Sequence, residues 1–163
     1  MIRVLLAVLL ATAIVGVSLS AVQTADRTRA ATRTHAAVST LADALDRVAT
    51  DEDPVPAGEP GANRVLTVRL PAGSRLHVGT GSDRRGGGTL RWNAGGRAGR
   101  LHLSVALAVP AGEPVELRGG THRLRIGYVA CPDGSRVTVR RFKTDAGTTP
   151  TRVPEREDHG VCL

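Results

Sequence analysis

The sequence predicts an α+β chain: a long N-terminal helix, transmembrane at its start and amphipathic after it, followed by a small antiparallel β-sandwich or curled sheet. Three observations carry this. Nineteen residues without a charge run from Val4 to Val22. Apolar side chains then recur at helical spacing as far as Val48, and beyond Arg64 the pattern changes to period two, broken by Gly and Pro.

The uncharged run, as a helix, would be about 28 Å long, close to the hydrocarbon thickness of a bilayer. Residues 1–22 therefore read as a membrane anchor or a cleaved signal. Arg3 supplies a basic start, and Ser18-Leu19-Ser20 could place a cut before Ala21. No breaker follows, so residues 23–50 continue as a stem helix. Ala31, Thr34, Val38, Leu41, Leu45 and Val48 follow one another in steps of 3, 4, 3, 4 and 3. That is the seam of a helix packing on another helix or on a sheet. Val38, Leu41, Leu45 and Val48 are its candidate partner-helix contacts. Residues 51–63 contain three prolines and two glycines and read as an acidic linker.

Residues 64–143 form the β domain. RVLTVRL places Leu66, Val68 and Leu70 on one face, and six further short runs alternate in the same way. From Thr144 the chain has little to bury, so 144–163 reads as a flexible tail.

Charge divides along the chain. Between Arg64 and Lys143 fifteen positive residues face four acids, whereas between Asp43 and Glu59 six acids surround Arg47. A basic domain behind an acidic stretch suits an anionic partner. Arg123 and Arg125 share a face of one strand, and Arg136 and Arg140 share a face of the next, across a CPDGS turn. Such a stripe could contact phosphates or carboxylates. Three aromatic residues, Trp92, Tyr128 and Phe142, are too few for the base-stacking platforms of single-strand binders, so nucleic acid is an unlikely partner.

No catalytic constellation is present, and the chain reads as non-enzymatic with no cofactor. GTGSDRRGGG lacks the Lys-Ser/Thr ending of a phosphate loop and reads as a hairpin connection. His77 and His102 lie on the polar parity of their strands, but two imidazoles without a third ligand do not make a metal site. Cys131 and Cys162, with thirty residues between them, permit one disulfide, which requires an oxidising compartment. Arg27, Arg29 and Arg33 after the uncharged run oppose export, while the cysteines and the tail favour it. The expectation is a single-pass membrane protein with its β domain outside the cytoplasm.

An apolar start, amphipathic stem, linker and small β domain follow the plan of type IV pilins and pseudopilins. More narrowly, MIRVLLAVLLATAIVGVSLSAV, DPVPAGEPGANRVLTVRLP and VRRFKTDAGTTPTR resemble a haloarchaeal family of small membrane-anchored, pilin-like proteins associated with type IV pilus-type assembly genes. The resemblance implies protein partners and a role as an accessory of a pilus or secretion machine. The second function class open to the sequence is a membrane-tethered module whose Arg-rich sheet face holds an anionic polymer.

Overall fold

A computed structural model describes residues 2–56, 59, 63–80, 87–109, 114–142 and 162. A single helix, α1 (Ile2–Asp51), occupies the first third of the chain. No proline interrupts it before Pro54, and Pro54 prevents its continuation. Its last i→i−4 bond runs from Glu52 N–H to Val48 O, 3.2 Å.

Seven strands follow: β1 (Val55–Pro56), β2 (Asn63–Thr80), β3 (Gly88–Ala94), β4 (Arg97–His102), β5 (Leu107–Ala108), β6 (Val115–Cys131) and β7 (Gly134–Arg141). They form one mixed sheet in the order β4-β3-β2-β6-β7-β5, with β1 pairing β6 beyond the end of β2. The β1–β6 and β5–β7 pairs are parallel and the others antiparallel.

This corrects the expected fold at two points. There is no sandwich: the apolar face that a second sheet would have covered is covered by α1. The seam residues Ala31, Thr34, Val38, Leu41, Leu45 and Val48 are all buried, as is Ala42. Val38, Leu41, Ala42, Leu45 and Val48 close a core with Val68, Leu70, Leu76 and Val78 of β2, Leu90 of β3, Leu117, Leu124 and Ile126 of β6, and Val137 and Val139 of β7. The second correction concerns the membrane. Among the described residues no helix is long and apolar enough to cross a bilayer. The uncharged run passes without a break into the polar stretch carrying Asp26, Arg27 and Arg29. The expected single-pass anchor, and with it the extracytoplasmic placement of the β domain, is not supported.

The helix runs through residue 22 without a break. Two residues of the expected linker join the sheet as β1, and all of the expected tail except Cys162 lies outside the described residues, as do residues 81–86 of the Gly-rich stretch.

Opposite faces alternate along each strand, and a bulge preserves the alternation in β2. Residues 71–74 go unpaired opposite Gly119, after which Arg75 resumes register with Arg118. Ser74 Oγ donates to Pro71 O within the bulge, 2.5 Å. Both arms of β2 thereby send their leucines and valines toward α1.

Contacts between helix and sheet are spread along the buried half of α1. His35 meets Trp92 of β3 edge to face, with ring centroids 5.9 Å apart. Trp92 in turn lies over Gly99 of β4, where an added Cβ would come within 2.5 Å of the indole. Ser104 Oγ donates to Asp46 Oδ1, 2.8 Å, and Arg64 of β2 pairs with Glu52 just past the helix end. The β3–β4 turn comes so close that a Cβ on Gly95, whose φ is +58°, would sit 2.1 Å from Arg27 O.

Two stability predictions follow from this packing. Leu45→Ala, at a position with no exposed surface, should cost about 2–5 kcal/mol through lost burial and the cavity left behind. Denaturant unfolding monitored by the single tryptophan measures it. Gly95→Ala combines an unfavourable positive φ with a backbone clash and should lower the melting temperature, whereas Gly96→Ala, with φ +77° and open space around it, should lower it less. Thermal unfolding of the two variants side by side checks this ordering.

Candidate interaction surfaces

Two surfaces remain after the core is closed. The first is the N-terminal half of α1. Every described side chain from residue 2 to residue 29 is exposed, and burial begins only at Ala30 and Ala31. The exposed stretch is about 42 Å of helix. It carries Ile2, Val4, Leu6, Val8, Leu9, Leu10, Ile14 and Val22 in solvent, from 57 to 74 % exposed. Single exposed apolar residues are ordinary, but seven within residues 2–14 of one helix, with Val22 further along, make this half a candidate contact surface. Thr12 and Thr24 return their hydroxyls to carbonyls within the helix, 2.9–3.0 Å, and so present little polarity.

Val38, Leu41, Leu45 and Val48, the expected partner-helix contacts, do not belong to this surface. They are at most 1 % exposed and pack on the chain's own sheet. Helical spacing identified the side of the helix that goes in, but it does not distinguish a partner from the same chain. The apolar residues that do face outward lie in the run read from sequence as an anchor.

The second surface is the sheet face turned away from α1. The β6–β7 hairpin brings the four expected anion contacts together on it, with Arg125 directly opposite Arg140 and Arg136 opposite Val129. They differ in availability. Arg123 and Arg125 are exposed. Arg136 is held by Asp133 in the hairpin turn, its side chain 23 % exposed, and Arg140 is half-buried. The same face carries Arg69 and Arg75 of β2, Arg91 of β3 and Arg100 of β4, with Arg75 opposite Arg118 and Arg91 opposite Arg100. His77 and His102 are not neighbours, because β3 lies between them: His77 pairs with Arg91, and His102 pairs with Thr89. Among the described residues no group of three or more His, Cys, Asp and Glu side chains could hold a metal ion.

At the rim of this face Cys131 and Cys162 are joined by a disulfide, with Cα atoms 5.4 Å apart. The bond fastens the end of the chain to the β6–β7 turn, and Cys162 Sγ lies 3.9 Å from Ala130 O.

A family model described as a domain of unknown function, DUF7311, matches residues 1–142. The chain belongs to that family. The match takes in α1 and every strand, so the exposed helix half and the covered sheet are parts of one family domain. Comparisons with curated proteins and with solved structures find no match.

Removing the disulfide should be felt as stability, because the bond closes a loop of 31 residues in the unfolded chain. On loop-closure entropy the contribution is about 3.5 kcal/mol. Denaturant unfolding with and without reductant should differ by an amount of that order, and Cys162→Ser should reproduce the reduced protein. Mass spectrometry after treatment with a thiol-blocking reagent should find both cysteines unlabelled until a reductant is added.

Proposed function

We propose that this chain is a non-enzymatic subunit of a multiprotein assembly, a pilin-like or accessory component of a type IV pilus- or secretion-type machine. It would be held in place by helix-to-helix packing of the N-terminal half of α1. The observation that carries the reading is the division of one helix into a rooted half and an exposed half. Beyond Ala31 the helix is fixed by the sheet. Before it, eight large apolar side chains are exposed, with none of the described residues covering them. Exposing that area is unfavourable by about 25 cal/mol per Å², so association that buries it is strongly driven. The resemblance of the opening stretch, the linker and the last strand to the haloarchaeal pilin-like family supports the same plan.

The partner surface has to be complementary in kind: other apolar helices, either copies of this one or those of companion subunits, packing in a bundle. The β domain then acts as a fixed head on each subunit, and its apolar core plays no part in the contact.

Leu6, Leu9 and Leu10 lie on the exposed half and touch nothing in the core, so Leu6→Gln, Leu9→Gln and Leu10→Gln together should leave the unfolding midpoint unchanged. The triple variant should fail to co-purify with the partners retained by the parent chain, and it should sediment as a smaller species. If co-purification and sedimentation of the variant match the parent, the exposed helix half is not the docking element and the proposal fails.

A further inference from the structure

The sheet face turned away from α1 carries an unusual combination. Among the described residues, the large apolar side chains exposed outside α1 are Val65 and Phe142, 46 and 41 % exposed, and the fold places both on this face. Val65 stands directly opposite Arg125. Phe142 N–H donates to Arg123 O at 2.8 Å, and the Arg123 guanidinium lies over the Phe142 ring, 4.8 Å from its centroid. One residue pair further along, Thr67 faces Arg123 and Arg69 faces Thr121. No acid occurs in the strand segments that build the patch, residues 63–69, 121–127 and 138–142. An exposed aromatic and a valine set among arginines is the composition of a protein–protein contact. One face of the ring is covered by Arg123, and a single aromatic is too few for the successive base stacking of a single-strand binder.

The complementary charge is found on the same molecule. Asp43, Asp51 and Asp53 are exposed at the C-terminal end of α1 and just beyond it. No basic residue occupies the last turn, so Asp51 adds negative charge where the helix dipole is already negative, an arrangement that a cation from outside would relieve. The neighbouring acids are engaged internally: Asp46 accepts from Ser104 and Glu52 pairs with Arg64. That last pair fixes where the acidic end sits. Arg64 and Val65 are successive residues of β2 and point to opposite faces of the sheet. The acidic helix end and the Arg–Val–Phe patch therefore lie back to back at the same end of the domain.

We propose that the patch formed by Arg69, Arg123, Arg125, Val65 and Phe142 docks the acidic end of α1 of a second copy of this chain, head to tail. Patches on opposite faces cannot satisfy each other in a closed two-fold dimer. They make a heterologous contact that leaves a free patch at each end and adds subunits in a row. This contact is separate from the apolar packing of the N-terminal helix half. It weakens with salt, whereas burial of apolar side chains does not.

The test uses two charge-reversed full-length chains, Arg123→Glu with Arg125→Glu, and Asp51→Arg with Asp53→Arg, all at exposed positions. Sedimentation velocity at about 0.05 M and about 0.5 M salt separates the salt-sensitive share of self-association from the apolar share. Each variant alone should lose the salt-sensitive share, with association at low salt weakened by about tenfold or more. An equimolar mixture of the two should regain it, because each variant then offers the other a patch of opposite sign on both faces. A parent chain with no salt-sensitive association, or a mixture that stays as weak as its components, overturns the proposal. So does a reversed-arginine chain that self-associates like the parent but has lost binding to inorganic polyphosphate, the outcome that would make the face a polyanion site instead. None of these results depends on Leu6, Leu9 and Leu10, so the helix-docking reading can fail or succeed independently.

Discussion

The burial of one helical seam under one sheet face is the constraint on which the rest of this molecule depends. Leu41 and Leu45 are completely enclosed, as are Leu76, Leu90, Leu117 and Leu124 opposite them. The sheet has few bulky residues, and its aromatic complement is one tryptophan, one tyrosine and one phenylalanine. Without α1, the apolar face formed by its buried leucines and valines would be open to water. The helix is therefore a structural layer of the domain and not an appendage to it.

That constraint also explains the form of the remaining surfaces. A helix that supplies part of the core is committed on one side over residues 31–48, which leaves its other side, with Asp43 and Asp51, in solvent. A sheet covered on one face presents the other to water, and the period-two alternation then fills that face with the polar residues of each strand. Arginine dominates there, and the register sets Arg75 against Arg118, Arg91 against Arg100 and Arg125 against Arg140. Like charges placed directly opposite each other oppose pairing. The strands are held together in spite of this by the leucines and valines on the reverse side.

Much of this is legible in the residues themselves. The 3-4 spacing from Ala31 to Val48 marks the buried side of the helix, and the alternation in RVLTVRL marks the buried side of β2. The CPDGS turn places Arg123, Arg125, Arg136 and Arg140 on adjoining strands. Other features are not local and could not be read. The two short parallel pairings, of Val55–Pro56 with β6 and of Leu107–Ala108 with β7, involve two residues each and leave no periodic signal. The expected sandwich failed for a related reason: alternation shows that a face is buried but not whether a sheet or a helix covers it. The expected membrane span rested on the uncharged run Val4–Val22, and among the described residues no helix is long and apolar enough to cross a bilayer. Arg136 shows the same limit on the sheet face, since its neighbour Asp133, three residues away, engages it.

The exposed half of α1 raises a last question of stability, since a helix whose described side chains are all exposed over residues 2–29, with the β3–β4 turn close to it at Arg27, has to be maintained by something. Initiating a helix is costly and extending one is not. Residues 31–48 are locked by the sheet, so they act as a nucleus that is already formed, and each residue N-terminal to them adds a backbone hydrogen bond at propagation cost only. The composition of the exposed half helps, with alanine and leucine frequent, no proline and a single glycine. The same burial that holds the β domain together can thus project an apolar helix well beyond it. An exposed apolar helix on a separately stabilised head is well suited to assembly, because the core is closed by the later part of α1 and the sheet and the contact surface does not have to be sacrificed to form it.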